Sequence, residues 1–185
     1  MYFTEAQQQR LLDTAHRSIV QGLERGEPLL MQTEAETDPL AKPGACFVTL
    51  RHDDQLRGCI GSLEACRPLI EDAAENAYAA AFRDPRFQPL KPSELPRLHL
   101  SLSVLSLAEA MTFASQADLL QQLRPGIDGL ILQAGAQRGT FLPAVWESLP
   151  RPVDFLDKLK LKASLPANYW SDDIQVWRYT TDSFS

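Results

Sequence analysis

An α+β fold is predicted by three features of the sequence: apolar residues at helical spacing in two long stretches, several short runs of period two, and turn-linked strand pairs without regular βαβ alternation. The chain has 185 residues, 44% of them hydrophobic. That fits one domain, or one domain with a small subdomain, able to bury roughly two-thirds of its unfolded surface.

The first helix starts at Thr4, an N-cap with Gln7 three residues on as a capping box. Leu11, Leu12, Ala15, Ile19, Val20 and Leu23 continue it, and Gly26 ends it. Residues 29–44 hold Pro39, Pro43 and several acids without a sustained period, which predicts a surface loop. Residues 45–51 and 56–62 are strand-like and flank His52-Asp53-Asp54-Gln55, a hairpin by pattern and loop length.

Pro68 opens a second helix with a stripe of small apolar residues, Leu69, Ile70, Ala73, Ala74, Ala77 and Ala81, suited to lying close on a sheet. Asp84-Pro85 stops it. Leu98, Leu100, Leu102 and Val104 alternate with His99, Ser101 and Ser103 as a strand buried on one face. A short helix over residues 116–123, a strand over 129–134, a turn over 135–139 and a returning strand over 140–142 follow. Helices over 143–149 and 153–163 and a strand over 174–179 complete the chain. Lys158, Lys160 and Lys162 read as a solvated helix face, and Trp146, Trp170 and Trp177 as core or subdomain-contact residues.

Composition narrows function. Eighteen basic against 24 acidic residues give a net charge of −6, an unfavourable field for a phosphate backbone, so nucleic acid is not expected as a partner. Cys46, Cys59 and Cys66 form no CxxC pair and cannot all pair within one chain, which suits a reducing cytoplasm. The N-terminus shows no basic region followed by an apolar core and no run of about 18 apolar residues occurs, so neither a signal peptide nor membrane association is expected.

The candidate site is Leu56-Arg57-Gly58-Cys59-Ile60-Gly61, which sets a cysteine between two glycines and beside an arginine. Glycines in a strand mark a bulge or a close backbone approach. Simple hairpin register puts Val48 opposite Cys59, Leu50 opposite Arg57 and Cys46 opposite Gly61, with Cys46, Val48, Arg57 and Cys59 on one face; a bulge at either glycine would overturn this. Two readings stay open. Cys59 is a thiolate tuned by Arg57, able to attack an electrophile or bind a soft metal, or it is a small hydrophobe whose Arg57 neighbour pairs with a carboxylate elsewhere. His16, His52 and His99 are not placed near Cys59, and the cysteine spacing matches no zinc pattern, so neither a metal nor a cofactor is predicted. Gly58 and Gly61 also have the spacing of an RNA-clamping loop, but that loop lies between helices and these glycines lie in a strand.

This motif, together with Ala81-Phe82-Arg83-Asp84-Pro85-Arg86-Phe87, Asp128-Gly129-Leu130-Ile131-Leu132, Gly139-Thr140-Phe141-Leu142-Pro143 and Val145-Trp146-Glu147, resembles the AMMECR domain family over roughly residues 5–180. The resemblance implies a single AMMECR-type domain over residues 1–185 with two subdomains, a mixed and mainly antiparallel sheet flanked by helices, and a cleft lined by residues 56–61. In bacteria and archaea this domain is protein A of the AmmeMemoRadiSam system, found near or fused to a Memo-like protein and near a radical SAM protein. The family carries no established reaction.

Two departures stand out: Lys160 and Ser164 occupy a Leu-Cys-x-Lys-Ala-Gly-Leu pattern, and Ala144 replaces the usual glutamine. The expected roles are Cys59 as nucleophile or ligand, Arg57 as charge partner and anion binder, Gly58 and Gly61 as admitting a small-molecule substrate, and Asp84 and Arg86 as substrate contacts or a helix-stop ion pair. The alternative is a non-catalytic adaptor for the Memo-like or radical SAM partner.

Overall fold

The computed structural model describes residues 3–31 and 38–185, which form two compact units. Residues 32–37 of the expected surface loop lie outside the described residues.

The first unit comprises residues 1–105 and 182–185. Helix α1 (Glu5–Arg25) opens with the expected capping box, in which the Thr4 hydroxyl accepts from the Gln7 N–H and the Gln7 side chain accepts from the Thr4 N–H. A 3-10 turn at Pro39–Ala41 leads into the short strand β1 (Pro43–Gly44). Then come β2 (Cys46–His52), β3 (Gln55–Gly61), β4 (Arg67–Pro68), α2 (Leu69–Phe82) and β5 (Leu98–Leu105), with a 3-10 helix at Pro92–Arg97 before β5. β1 pairs with β4, and the unit's main sheet has the order β10-β5-β2-β3, where β10 is Thr181–Phe184.

Hydrophobic periodicity decides which way these elements face. Cys46, Val48 and Leu50 alternate along β2, are fully buried, and meet Leu102 and Val104 of β5 beneath Leu11, Ala15 and Ile19 of α1 and Ala73 and Ala77 of α2. Inside this core the Asp72 carboxylate accepts from the Cys46 N–H at 2.9 Å, from the Ser62 hydroxyl at 2.7 Å and from Asn76 Nδ2 at 2.9 Å. Arg67 Nε approaches the same carboxylate at 3.3 Å from the solvent side. The buried charge is therefore paired and hydrogen-bonded, and it ties the start of β2 to α2.

The hairpin departs from simple register. Strand pairing runs to His52 and Gln55, leaving a two-residue turn in which Asp53 and Asp54 both have positive φ, as the tight hairpin turn requires. Arg51 pairs with Leu56, but Leu50 pairs with Gly58, so Arg57 is an extra, bulged residue. The expected pairs Val48 with Cys59 and Cys46 with Gly61 are thus corrected: Cys59 lies opposite Thr49, Ile60 opposite Val48, and Gly61 opposite Phe47. The bulge falls on the arginine rather than on a glycine.

The second unit spans residues 106–181. It contains β6 (Glu109–Ala110), α3 (Gln116–Gln122), β7 (Gly129–Ala134), β8 (Gln137–Phe141), a 3-10 helix at Pro143–Glu147, α4 (Pro152–Lys162) and β9 (Gln175–Tyr179), with sheet order β6-β9-β7-β8. The turn between β7 and β8 is shorter than the sequence suggested, because strand pairing already begins at Ala134 and Gln137. Trp146 is buried, stacks on Phe155 at 3.8 Å between centroids, and donates from Nε1 to the Asp128 carbonyl at 2.7 Å.

Lys160 corrects a further expectation. It shares the buried face of α4 with Leu156, one turn earlier, and is fully buried rather than solvated. Its ammonium donates to Gln116 Oε1 at 2.9 Å and to the Ala167 carbonyl at 3.0 Å, with Asp157 at 3.5 Å, so its hydrogens are satisfied without water. Among the described residues, no helix is long and apolar enough to cross a membrane.

Gly58 fixes how closely α2 approaches β3. A Cβ on Gly58 would lie 2.1 Å from the Ala80 carbonyl oxygen, a backbone atom that cannot swing aside. Gly58→Ala should therefore lower stability by about 2 kcal/mol or more through overpacking, read as a fall in the urea midpoint with unchanged slope.

Candidate functional site

The bulge at Arg57 turns alternate residues of β3 to opposite sides, so that Gly58 faces the core under α2 while Cys59 shares the outer face with Thr49. The thiol is free and half-buried. Thr49, directly across the ladder, donates its hydroxyl to the Cys59 sulfur at 3.4 Å.

β3 is the edge of its sheet, and the backbone groups of Cys59 are taken up by side chains rather than by another strand. The donor and acceptor both come from the loop after α2. Asp84 Oδ2 accepts from the Cys59 N–H at 2.9 Å, and Arg86 Nη2 donates to the Cys59 carbonyl at 3.1 Å. Local chemistry makes this pair: Pro85 stops the helix, and the Asp84 side chain accepts from the backbone N–H two residues on at 3.1 Å, the Asx-turn pattern. The Arg86 guanidinium closes on the same carboxylate through Nε at 2.9 Å and Nη2 at 2.7 Å. The Asp84 side chain is 1% exposed, and its carboxyl is held well below the usual carboxylate range, first by Arg86 and then by the Cys59 and Arg86 backbone N–H groups, against the opposing effect of burial. Arg86 is correspondingly raised, chiefly by Asp84, with a smaller contribution from Cys59.

Arg57 is placed differently from the thiolate-tuning role. Its Nε donates to Glu94 Oε1 at 2.7 Å, and its Nη2 to Glu94 Oε2 at 3.2 Å and to the Gln88 carbonyl at 2.8 Å. Glu94 is held low by Arg57 and also accepts from the Lys91 N–H at 2.8 Å. Arg57 thus pairs with a carboxylate elsewhere, as one of the two sequence readings had it, and Arg86 is the guanidinium bonded to Cys59. Phe87 lies near both guanidiniums, with Arg57 Cζ at 5.8 Å and Arg86 Cζ at 5.5 Å from its ring centroid.

The room left by the glycines is filled from within the chain, Gly58 by the Ala80 carbonyl and Gly61 by the Phe47 ring. The other cysteines occupy different environments. Cys46 is buried, and its thiol is pushed well up by burial and next by Asp72, whereas Cys66 is exposed. None of the histidines is bonded to Cys59: His16 and His99 are exposed, and His52 approaches Asp53 at 3.4 Å. Among the described residues, no three His, Cys, Asp or Glu side chains converge as a metal site.

Sequence reasoning missed Thr49 and Glu94. The Thr49 contact depends on the bulge, and Glu94 sits 37 residues from Arg57 with no local pattern that joins them.

The family model for AMMECR1 matches residues 12–184. The chain belongs to the AMMECR1 family. It is 34% identical over 183 residues to protein MK0488 of Methanopyrus kandleri, covering 94% of this chain and 86% of that protein. A Methanothermobacter thermautotrophicus protein is 36% identical over 166 residues, covering 86% and 84%. Among solved structures, the uncharacterized protein PH0010 from Pyrococcus horikoshii superposes with a TM-score of 0.86 at 29% identity, covering 98% of this chain and 92% of that one. The α+β architecture is therefore shared with that solved structure.

Asp84 supplies a pH test of this geometry. A carboxyl lowered by folding contributes stability that is present above its unfolded value near 4 and lost as pH falls below it. Asp84→Asn should cost roughly 2 kcal/mol at pH 7, tempered by the half-exposed Arg86. Urea midpoints of the variant and the parent should draw together progressively as pH falls below about 4.

Proposed function

We propose that this AMMECR1-family protein handles a small-molecule substrate through Cys59, as the substrate-handling component of a modification system with Memo-like and radical SAM partners. The observation that carries the chemistry is the half-buried Cys59 thiol, which receives the Thr49 hydroxyl at 3.4 Å while Asp84 and Arg86 grip its backbone. A hydroxyl donor can hydrogen-bond the sulfur while it reacts, and a fixed backbone holds the nucleophile in place. The partners come from the family resemblance.

In the step proposed, the Cys59 thiol releases its proton to water and the sulfur pair forms a bond to an electrophilic carbon. The leaving group departs with the electrons of the bond it breaks. Thr49 faces the sulfur in this scheme, Arg86 holds the Cys59 backbone carbonyl, and Arg57 acts on the supporting loop through Glu94.

Residue-resolved alkylation by iodoacetamide tests the reading. Cys59 should be modified in the native protein, and Cys46 only after denaturation. Cys59→Ser should remove that adduct and leave the one at exposed Cys66. A Cys59 that stays silent while exposed Cys66 reacts, in a protein that co-purifies with its Memo-like partner, would overturn the nucleophile and leave the adaptor.

A further inference from the structure

The Asp84–Arg86 pair is unequal in depth, and the inequality gives the site a sign. The Asp84 side chain is 1% exposed and that of Arg86 is 53% exposed. The carboxylate accepts four hydrogen bonds, from the Cys59 N–H, the Arg86 N–H, Arg86 Nε and Arg86 Nη2. Its negative charge is thereby spent inward. The guanidinium uses Nε and Nη2 in these bonds, while Nη1 makes no hydrogen bond to a described residue.

The two hydrogens left on Nη1 are suited to a carboxylate or phosphate oxygen, held as a single-nitrogen contact because both Nη2 hydrogens are already used. A second guanidinium lies near the same Phe87 ring: Arg57 also binds its carboxylate through Nε and Nη2, and its buried Nη1 has no hydrogen-bond partner among the described residues. The chain as a whole carries a net charge of −6, so an exposed guanidinium nitrogen on the residue that holds the Cys59 backbone runs against the overall field.

We infer that the electrophile taken by Cys59 carries a negatively charged oxyanion group, and that Arg86 is the residue that selects for it. This rests on the nucleophile reading above and adds the substrate class to it. Arg86 holds Cys59 through the carbonyl with one nitrogen and offers another to the incoming anion, so one side chain orients both reactants.

Iodoacetate and iodoacetamide test this, since they deliver similar reactive carbons and differ in charge. In each, the sulfur–carbon bond forms as iodide leaves with the electron pair, and the thiol proton goes to water. The ratio of iodoacetate to iodoacetamide rates at Cys59 should fall several-fold in Arg86→Gln and be largely restored in Arg86→Lys, while the ratio at Cys66 stays constant. In the parent protein the Cys59 ratio should also fall as salt rises from about 0.01 to 1 M, where screening shortens from about 30 to 3 Å; this arm needs no variant to fold. A Cys59 that reacts with both reagents at a ratio insensitive to Arg86 and to salt overturns the anion preference alone. A Cys59 that reacts with neither overturns the nucleophile and this inference with it.

Discussion

One unpaired residue governs the candidate site. Without the bulge, Arg57 would stand opposite Leu50 against Ala80, where even a methyl group cannot fit, while Gly58 would fall on the outer face opposite Thr49 and Cys59 on the core face opposite Val48. The extra residue reverses that assignment. It puts the bare backbone under α2 and the sulfur on the side of Thr49, and the tight contact at Gly58 brings the end of α2 close to the edge of β3. Asp84, two residues beyond that helix, can then reach the Cys59 N–H. Sulfur placement, helix packing and edge capping are consequences of one register shift.

Most of the fold was legible because it follows from periodicity and punctuation. The Thr4 and Gln7 capping box, the small-residue stripe of α2 stopped at Asp84-Pro85, and the alternating β5 all stand where local chemistry puts them. What failed depends on nonlocal packing. Nothing in residues 46–61 announces that the bulge falls on Arg57, because the reason for it, the Ala80 carbonyl, is more than 20 residues away. Lys160 was misread for the same reason: a lysine on a helix face is ordinarily solvated, and only Gln116 and the Ala167 carbonyl make a buried ammonium tolerable.

The motif residues themselves were legible, but their partners were not. Arg57 and Cys59 share a strand face by alternation, yet proximity along a strand does not decide where a long side chain finds its carboxylate. Glu94 claims Arg57, Arg86 bonds the Cys59 backbone carbonyl, and Thr49 is the side chain at the sulfur. An Asx turn of three residues and a paired loop thus divide two guanidiniums between separate carboxylates, a division no spacing rule expresses.

The three cysteines stand at three depths, Cys66 at the surface, Cys59 midway and Cys46 in the interior. The molecule consequently carries its own depth gauge. Oxidants or air would reach the sulfurs in sequence from outside inward, so the pattern of oxidised positions in an aged sample would record how far its first unit had opened, with no dye or label added.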